Sequence, residues 1–139
     1  MIPQISQAPG VVQLVLNFLQ VLEQQGFTGD TATSYADRLT MATDNSVYQL
    51  LPDAILFPRS TADVALLARL AAEERFKSLI FTPRGGGTGT NGQALNAGII
   101  VDMSRYMNRI IEINPEEGWV RVEAGVIKDQ RSEEHTSEL

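Results

Sequence analysis

The stretch Ser78–Ser104, "SLIFTPRGGGTGTNGQALNAGIIVDMS", decides how this chain is read. Its ten residues from Pro83 to Gly92 hold five of the chain's eleven glycines, with Arg84 as the only charged side chain among them. Ordering glycine costs more backbone entropy than ordering any other residue, so a cluster this dense needs a compensating reason. Either the backbone repeatedly adopts positive φ, or something approaches so closely that no side chain fits. On both sides lie apolar runs of strand length, Ser78–Thr82 and Gly98–Met103.

Three phosphate-binding patterns compete for the loop. Gly87, Gly89 and Gly92 satisfy the spacing G-x-G-x-x-G, but the dinucleotide fingerprint needs a helix opening directly from the loop. Only Gln93–Ala97 separate the last glycine from the next strand, whereas a helical crossover needs at least about 10–12 residues. Gly87 and Gly92 also have the glycine spacing of a nucleotide triphosphatase loop, but Gln93 stands at the lysine position. The third pattern needs no helix: successive backbone N–H groups of a glycine-rich turn converge on one anion. Arg84 would add fixed positive charge, and the Thr88 and Thr90 hydroxyls would donate further hydrogen bonds. Against all three stands a flexible turn whose glycines only permit tight geometry.

Working upstream, Ala54–Phe57 is a short apolar run between Pro52 and Pro58 and is expected as a strand. Ser60 is placed to cap a following helix, with Asp63 three residues on and a buried face of Val64, Leu67, Ala68 and Ala71. Strand, helix and the Ser78–Thr82 strand together predict a parallel pair with a right-handed crossover. Val11, Leu14, Val15, Phe18 and Leu22 form the stripe of an N-terminal helix ending before Gly26. The polar stretch Gly29–Ser46 is expected to be a connector. Downstream, Arg109–Ile113 and Trp119–Ala124 flank "NPEEG" and predict a β-hairpin, with "GVIKDQ" opening another helix. The fold class is α+β with a mixed sheet.

Composition narrows the chemistry. A formal charge of −6 disfavours a nucleic-acid partner. With no cysteine, thiolate metal sites, disulfides and cysteine nucleophiles are excluded within these residues. No metal site is expected. Val11–Leu22 is too short and polar to span a bilayer, no signal peptide is visible, and a cytoplasmic location is expected. His135 is the only histidine and lies in the tail, which argues against histidine general-base catalysis here; no catalytic residue is assigned. Glu73–Glu74 and Glu116–Glu117 are read as solvated neighbours rather than acid/base pairs. Asp102 is placed either for a cofactor contact or to cap the turn after its strand. Tyr35 and Tyr48 are left open between packing and cofactor contact, and Trp119 is read as the partly covered face of the hairpin.

The four segments "PDAILFPRSTADV", "TPRGGGTGTNG", "GIIVDMSRYMNRIIEIN" and "VRVEAGV", in that order, resemble the first half of a flavin-binding domain. The family is that of FAD-linked oxidases with the p-cresol methylhydroxylase (vanillyl-alcohol oxidase) type FAD-binding domain. The wording is most similar to large bacterial FAD and iron–sulfur oxidoreductases related to D-2-hydroxyglutarate dehydrogenase. The resemblance implies residues 44–130 as a partial FAD-binding domain, preceded by an N-terminal helix and connector in residues 1–43. It implies Arg84, Gly85, Gly86, Gly87, Thr88, Gly89, Thr90, Asn91 and Gly92 as the FAD diphosphate loop. In a longer parent enzyme it implies oxidation of a D-2-hydroxy acid, with any iron–sulfur cluster in a C-terminal part beyond this chain. FAD would be held noncovalently. The alternatives are a noncatalytic anion- or nucleotide-binding module and an inactive truncated fragment. The last nine residues, "RSEEHTSEL", continue no apolar stripe. They are read as the translation of a sequencing-library adapter in preference to a solvated acidic end.

Overall fold

The computed structural model describes residues 11–127. Helix α1 (Gln13–Gln24) leads to a short strand β1 (Asp30–Ala32), a short helix α2 (Tyr35–Thr40) and strand β2 (Ala54–Phe57). Helix α3 (Thr61–Ala71) and a single 3₁₀ turn (Glu74–Phe76) then lead to β3 (Phe81–Arg84). After the glycine loop come β4 (Ile99–Asp102) and the hairpin strands β5 (Ile110–Asn114) and β6 (Trp119–Val122). The adapter-like tail and residues 128–130 of "GVIKDQ" lie outside the described residues, and residues 125–127 are not helical.

Strands β1 to β4 form one mixed sheet in the order β1-β2-β4-β3, with β1 antiparallel to β2 and the other neighbours parallel. The expected strand–helix–strand unit is present, but β2 and β3 are not neighbours: β4 lies between them. The reason is burial. All four residues of β4 and of β2 are buried, so both strands need neighbours and cover on every side. β3 carries Pro83 and takes the edge. Ile99 and Met103 N–H groups donate to the Ile80 and Arg84 carbonyls, each at 2.9 Å. Residues 80, 82 and 84 therefore face β4, and Pro83, which has no N–H, faces the open edge.

One face of the sheet (Ala54, Leu56, Ile99, Val101) packs on α1, α3 and the 3₁₀ turn through Val15, Phe18, Leu22, Leu66, Leu67, Leu70 and Phe76. Phe18 is fully buried and meets Phe76 edge-on at 5.2 Å. Ser60 caps α3 as expected, its hydroxyl accepting from the Asp63 N–H. The buried face of α3 is Asp63, Leu66, Leu67 and Leu70, rotated from the expected stripe, and Ala68 is exposed. β3 starts three residues later than Ser78 because the Leu79 N–H donates back to the Phe76 carbonyl and holds that segment in a turn. Gly29–Ser46 does more than connect: it supplies an edge strand and a helix capped by Ser34.

Candidate functional site: an open glycine loop at the sheet's carboxyl edge

Three parallel strands end at the same edge of the sheet, where open α/β sheets place their ligands. Each is followed by a turn with backbone donors to satisfy. After β2, the Asp63 carboxylate accepts from the Thr28 N–H (2.9 Å), the Thr28 hydroxyl (2.8 Å) and the Arg59 N–H (2.9 Å). Burial works to raise the Asp63 pKa, but these hydrogen bonds and the nearby Arg59 charge prevail and hold it below the ordinary carboxylate value. After β4, one carboxylate oxygen of buried Asp102 accepts from the Ser104 N–H, the Ser104 hydroxyl and the Arg105 N–H at 2.8–3.1 Å. That is the capping arrangement.

After β3 the pattern breaks. None of the six consecutive backbone N–H groups from Gly85 to Thr90 meets a hydrogen-bond acceptor among the described residues. They border a cleft of about 460 Å³ lined by Pro83, Gln93, Ala94 and the run from Gly85 to Thr90. Among the described residues no carboxylate lines it.

The glycines of the loop fall into two groups. Gly87 and Gly92 have φ of +68° and +76°, the left-handed region that side chains disfavour. A Cβ on Gly87 would also collide with the Arg84 guanidinium, and one on Gly92 would press on Tyr48 Cδ2 at 3.1 Å. Gly89 is crowded by Gln93, whose side-chain oxygen accepts from the Asn91 N–H at 3.0 Å. Gly85 and Gly86 are different. Neither has a left-handed φ; a Cβ on Gly85 would meet nothing within 4 Å, and one on Gly86 only ordinary contacts from 3.6 Å outward. Among the described residues, nothing in the fold demands glycine at these two positions.

Arg84 sits at the loop's entry. Its guanidinium donates to the Thr43 carbonyl at 2.8 Å and to the Met41 carbonyl at 3.5 Å. Tyr48, 59% exposed, lies against Gly92. The sequence gives no sign that the 41–50 segment lies beside the loop, because an irregular polar segment carries no periodic signal. Between them, the Asp44 carboxylate accepts from the Ser46 N–H at 2.7 Å. Hydrogen bonding from Ser46, and then the Arg84 charge, keep Asp44 below the usual carboxylate range against the opposing effect of burial.

The remaining sequence candidates sit elsewhere. Glu73 pairs with Arg75, Glu74 with Lys77, and Glu117 accepts from the Trp119 indole N–H at 2.7 Å. Trp119 and Arg121 share a face of the hairpin, with the guanidinium 5.6 Å from the ring. Tyr35 is half-exposed on α2. His135 lies outside the described residues. Among the described residues no group of His, Cys, Asp and Glu is arranged to hold a metal, and no helix is long and apolar enough to cross a membrane.

A family described as "FAD binding domain" matches residues 52–135, which include the whole glycine loop and more than half of the chain. The chain belongs to the FAD-binding domain family. Within that family, D-2-hydroxyglutarate dehydrogenase of Escherichia coli (strain K12) is 92% identical over 130 residues, 94% of this chain and 13% of the relative. The glycolate oxidase subunit GlcD of Bacillus subtilis (strain 168) is 34% identical over 96 residues, 68% of this chain and 20% of that protein. Among solved structures, 6-hydroxy-D-nicotine oxidase of Arthrobacter nicotinovorans aligns with a TM-score of 0.66 and 27% identity, over 80% of this chain and 24% of that one. An alkyldihydroxyacetonephosphate synthase shares the fold at TM-score 0.76 and 19% identity, over 98% of this chain and 27% of its own. The mixed sheet with its flanking helices is thus the start of an FAD-binding domain of this oxidase type. The chain spans 13% of the length of the D-2-hydroxyglutarate dehydrogenases of Escherichia coli and Pantoea ananatis that it matches.

Proposed function

We propose that the loop from Arg84 to Gly92 is the seat of the FAD diphosphate, and that the chain serves as the N-terminal part of an FAD-dependent dehydrogenase of a D-2-hydroxy acid. One observation carries the reading. Of three strand-end turns on one sheet edge, two have their amides filled by a carboxylate of the chain, and the third presents six open amides and two glycines the fold does not require. A bare N–H array of this kind is a site for an anion brought from outside. Two linked phosphoryl groups fit it in charge and size, and the bare Cα atoms of Gly85 and Gly86 let phosphoryl oxygens approach the backbone.

In this reading the Gly85–Thr90 amides hold the diphosphate, and the Thr88 and Thr90 hydroxyls add donors. The flavin, when bound, supplies a two-electron acceptor for the 2-hydroxy acid. The residues described here bind and orient; none is assigned a proton-transfer role. Binding is noncovalent, as befits a chain without cysteine. The substrate site and any iron–sulfur cluster belong to the remainder of a longer parent protein, and a cytoplasmic location fits that assignment.

Thermal denaturation with added ligand tests the proposal. A ligand that binds only the folded state raises Tm as its free concentration passes Kd. FAD is expected to raise the Tm of the chain and inorganic pyrophosphate to compete with it, whereas riboflavin, which lacks phosphate, should do neither. An FAD-induced shift that pyrophosphate leaves untouched would remove the loop as the diphosphate seat. A shift with pyrophosphate alone would favour a simple anion-binding module.

A further inference from the structure

The loop's one cation is oriented in an unexpected way. A guanidinium serving a phosphate would direct its donors at the cleft, as a fork for two oxygens. The Arg84 guanidinium instead donates to two main-chain carbonyls far away in sequence, those of Met41 and Thr43. Gly87 is shaped around this arrangement: its left-handed φ and missing Cβ leave the space that the Arg84 guanidinium occupies. At the far end of the loop Tyr48 packs on Gly92. The segment between Met41 and Leu50 therefore touches the loop at both ends. It has little regular structure of its own, only a single bridge between Thr43 and Gln49 and a turn in which Asp44 and Ser46 accept from N–H groups two residues on. Its apolar anchorage is confined to its start, where Ala42 is buried and Met41 packs on the Ile55, Phe57 and Ile100 cluster; Leu39 beside it and Val47, Tyr48 and Leu50 within it are exposed.

We infer that Arg84 is a positioning residue: through the Met41 and Thr43 carbonyls it fixes the 41–50 segment as a side wall of the glycine cradle, and it does not itself contact the bound phosphate. The wall holds Tyr48 against Gly92 and so limits how far the loop can open. Arg84 acts on ligand affinity through the shape of the cradle, while the charge that meets the phosphates comes from backbone dipoles. The part of this inference that concerns affinity rests on the FAD reading above; the clamp itself does not.

Amide hydrogen exchange on the ligand-free chain, combined with FAD titration at several salt concentrations, separates the possibilities. Arg84→Ala is expected to speed exchange of residues 41–50 by on the order of ten-fold, the effect of losing a pair of hydrogen bonds. FAD binding should weaken while its dependence on salt concentration keeps the wild-type slope, because no phosphate contact has been removed. Arg84→Lys keeps the charge but not the fork and should behave like the alanine variant; it also serves if Arg84→Ala fails to fold. Gly87→Ala, which displaces the guanidinium, should likewise loosen 41–50, whereas Gly86→Ala should leave exchange there at the wild-type rate. Unchanged exchange across 41–50 in Arg84→Lys and Arg84→Ala would overturn the clamp. So would full rescue of affinity by lysine with a salt slope reduced in the alanine variant alone, the signature of a direct charge on phosphate. Should the wild-type chain fail to bind FAD at all, the proposed function falls while the exchange arm still judges the clamp.

Discussion

The turn after β2 and the turn after β3 lie at the same edge of one sheet and face the same problem, which they solve in opposite ways. After β2 the chain supplies its own anion: buried Asp63 reaches back from the first turn of α3 to take two backbone N–H groups and a hydroxyl. After β3 the donors from Gly85 to Thr90 meet no acceptor among the described residues, and a cleft stands where a carboxylate would go. A chain that satisfies its strand-end amides so fully at one turn, and leaves six together at the next, has the means to close the second and does not use them. That contrast is what favours a ligand there. Side-chain composition follows the same division. The closed turn is built from Arg59, Ser60 and Asp63, residues that bond to one another, and the open one from glycines that bond to nothing in reach.

Substitutions can break this contrast from either side. The largest effect is expected at the closed turn: Asp63→Ala leaves three donors without their acceptor and should cost roughly 3 kcal/mol of stability, read by denaturant unfolding. At the open turn, Gly86→Val should leave the unfolding midpoint of the ligand-free chain nearly unchanged and weaken FAD binding by on the order of 100-fold, about 2.7 kcal/mol, by crowding the amides. If that variant kept its FAD affinity, the open amides would not be the diphosphate site. Gly87→Ala should resemble the closed turn, costing about 1–2 kcal/mol of stability because its φ is left-handed.

Acidity distinguishes the two turns as well. The Asp63 carboxyl sits below its ordinary value in the folded chain, so its contribution is present above the unfolded value of about 4 and is lost as pH falls through the folded one. Thermal melts from about pH 6 down to about pH 2 should therefore lose stability from about pH 4 downward, and Asp63→Asn should flatten that limb. The smallest effects belong to the loop hydroxyls. Thr88→Ala and Thr90→Ala should each weaken FAD binding by roughly two- to ten-fold, with no change in melting of the free chain.

What can be read from the sequence follows the same physics. β2, the Ser60 cap and the hairpin are legible because prolines, a capping pair and "NPEEG" mark their ends. The glycine loop is legible as a candidate anion site because so many glycines together carry an entropy cost that a flanking pair of strands does nothing to offset. β1 and α2 are not legible: three residues cannot display alternation, and six cannot display a helical stripe. The position of β4 between β2 and β3 is hidden too, since periodicity records which residues are buried but not which strand lies beside which. Arg84 shows the limit most clearly. Its neighbourhood suggests a phosphate ligand, yet its partners are carbonyls of Met41 and Thr43, and a backbone carbonyl has no letter in the sequence.

The interleaved strand order has a consequence for how the domain comes into being. β2 and β3 belong to one sheet only through β4, which is translated after the glycine loop. Until β4 has joined the sheet, the loop hangs from a strand with no parallel neighbour. Anything that settles in the loop must therefore wait for the last parallel strand to slide between its two predecessors.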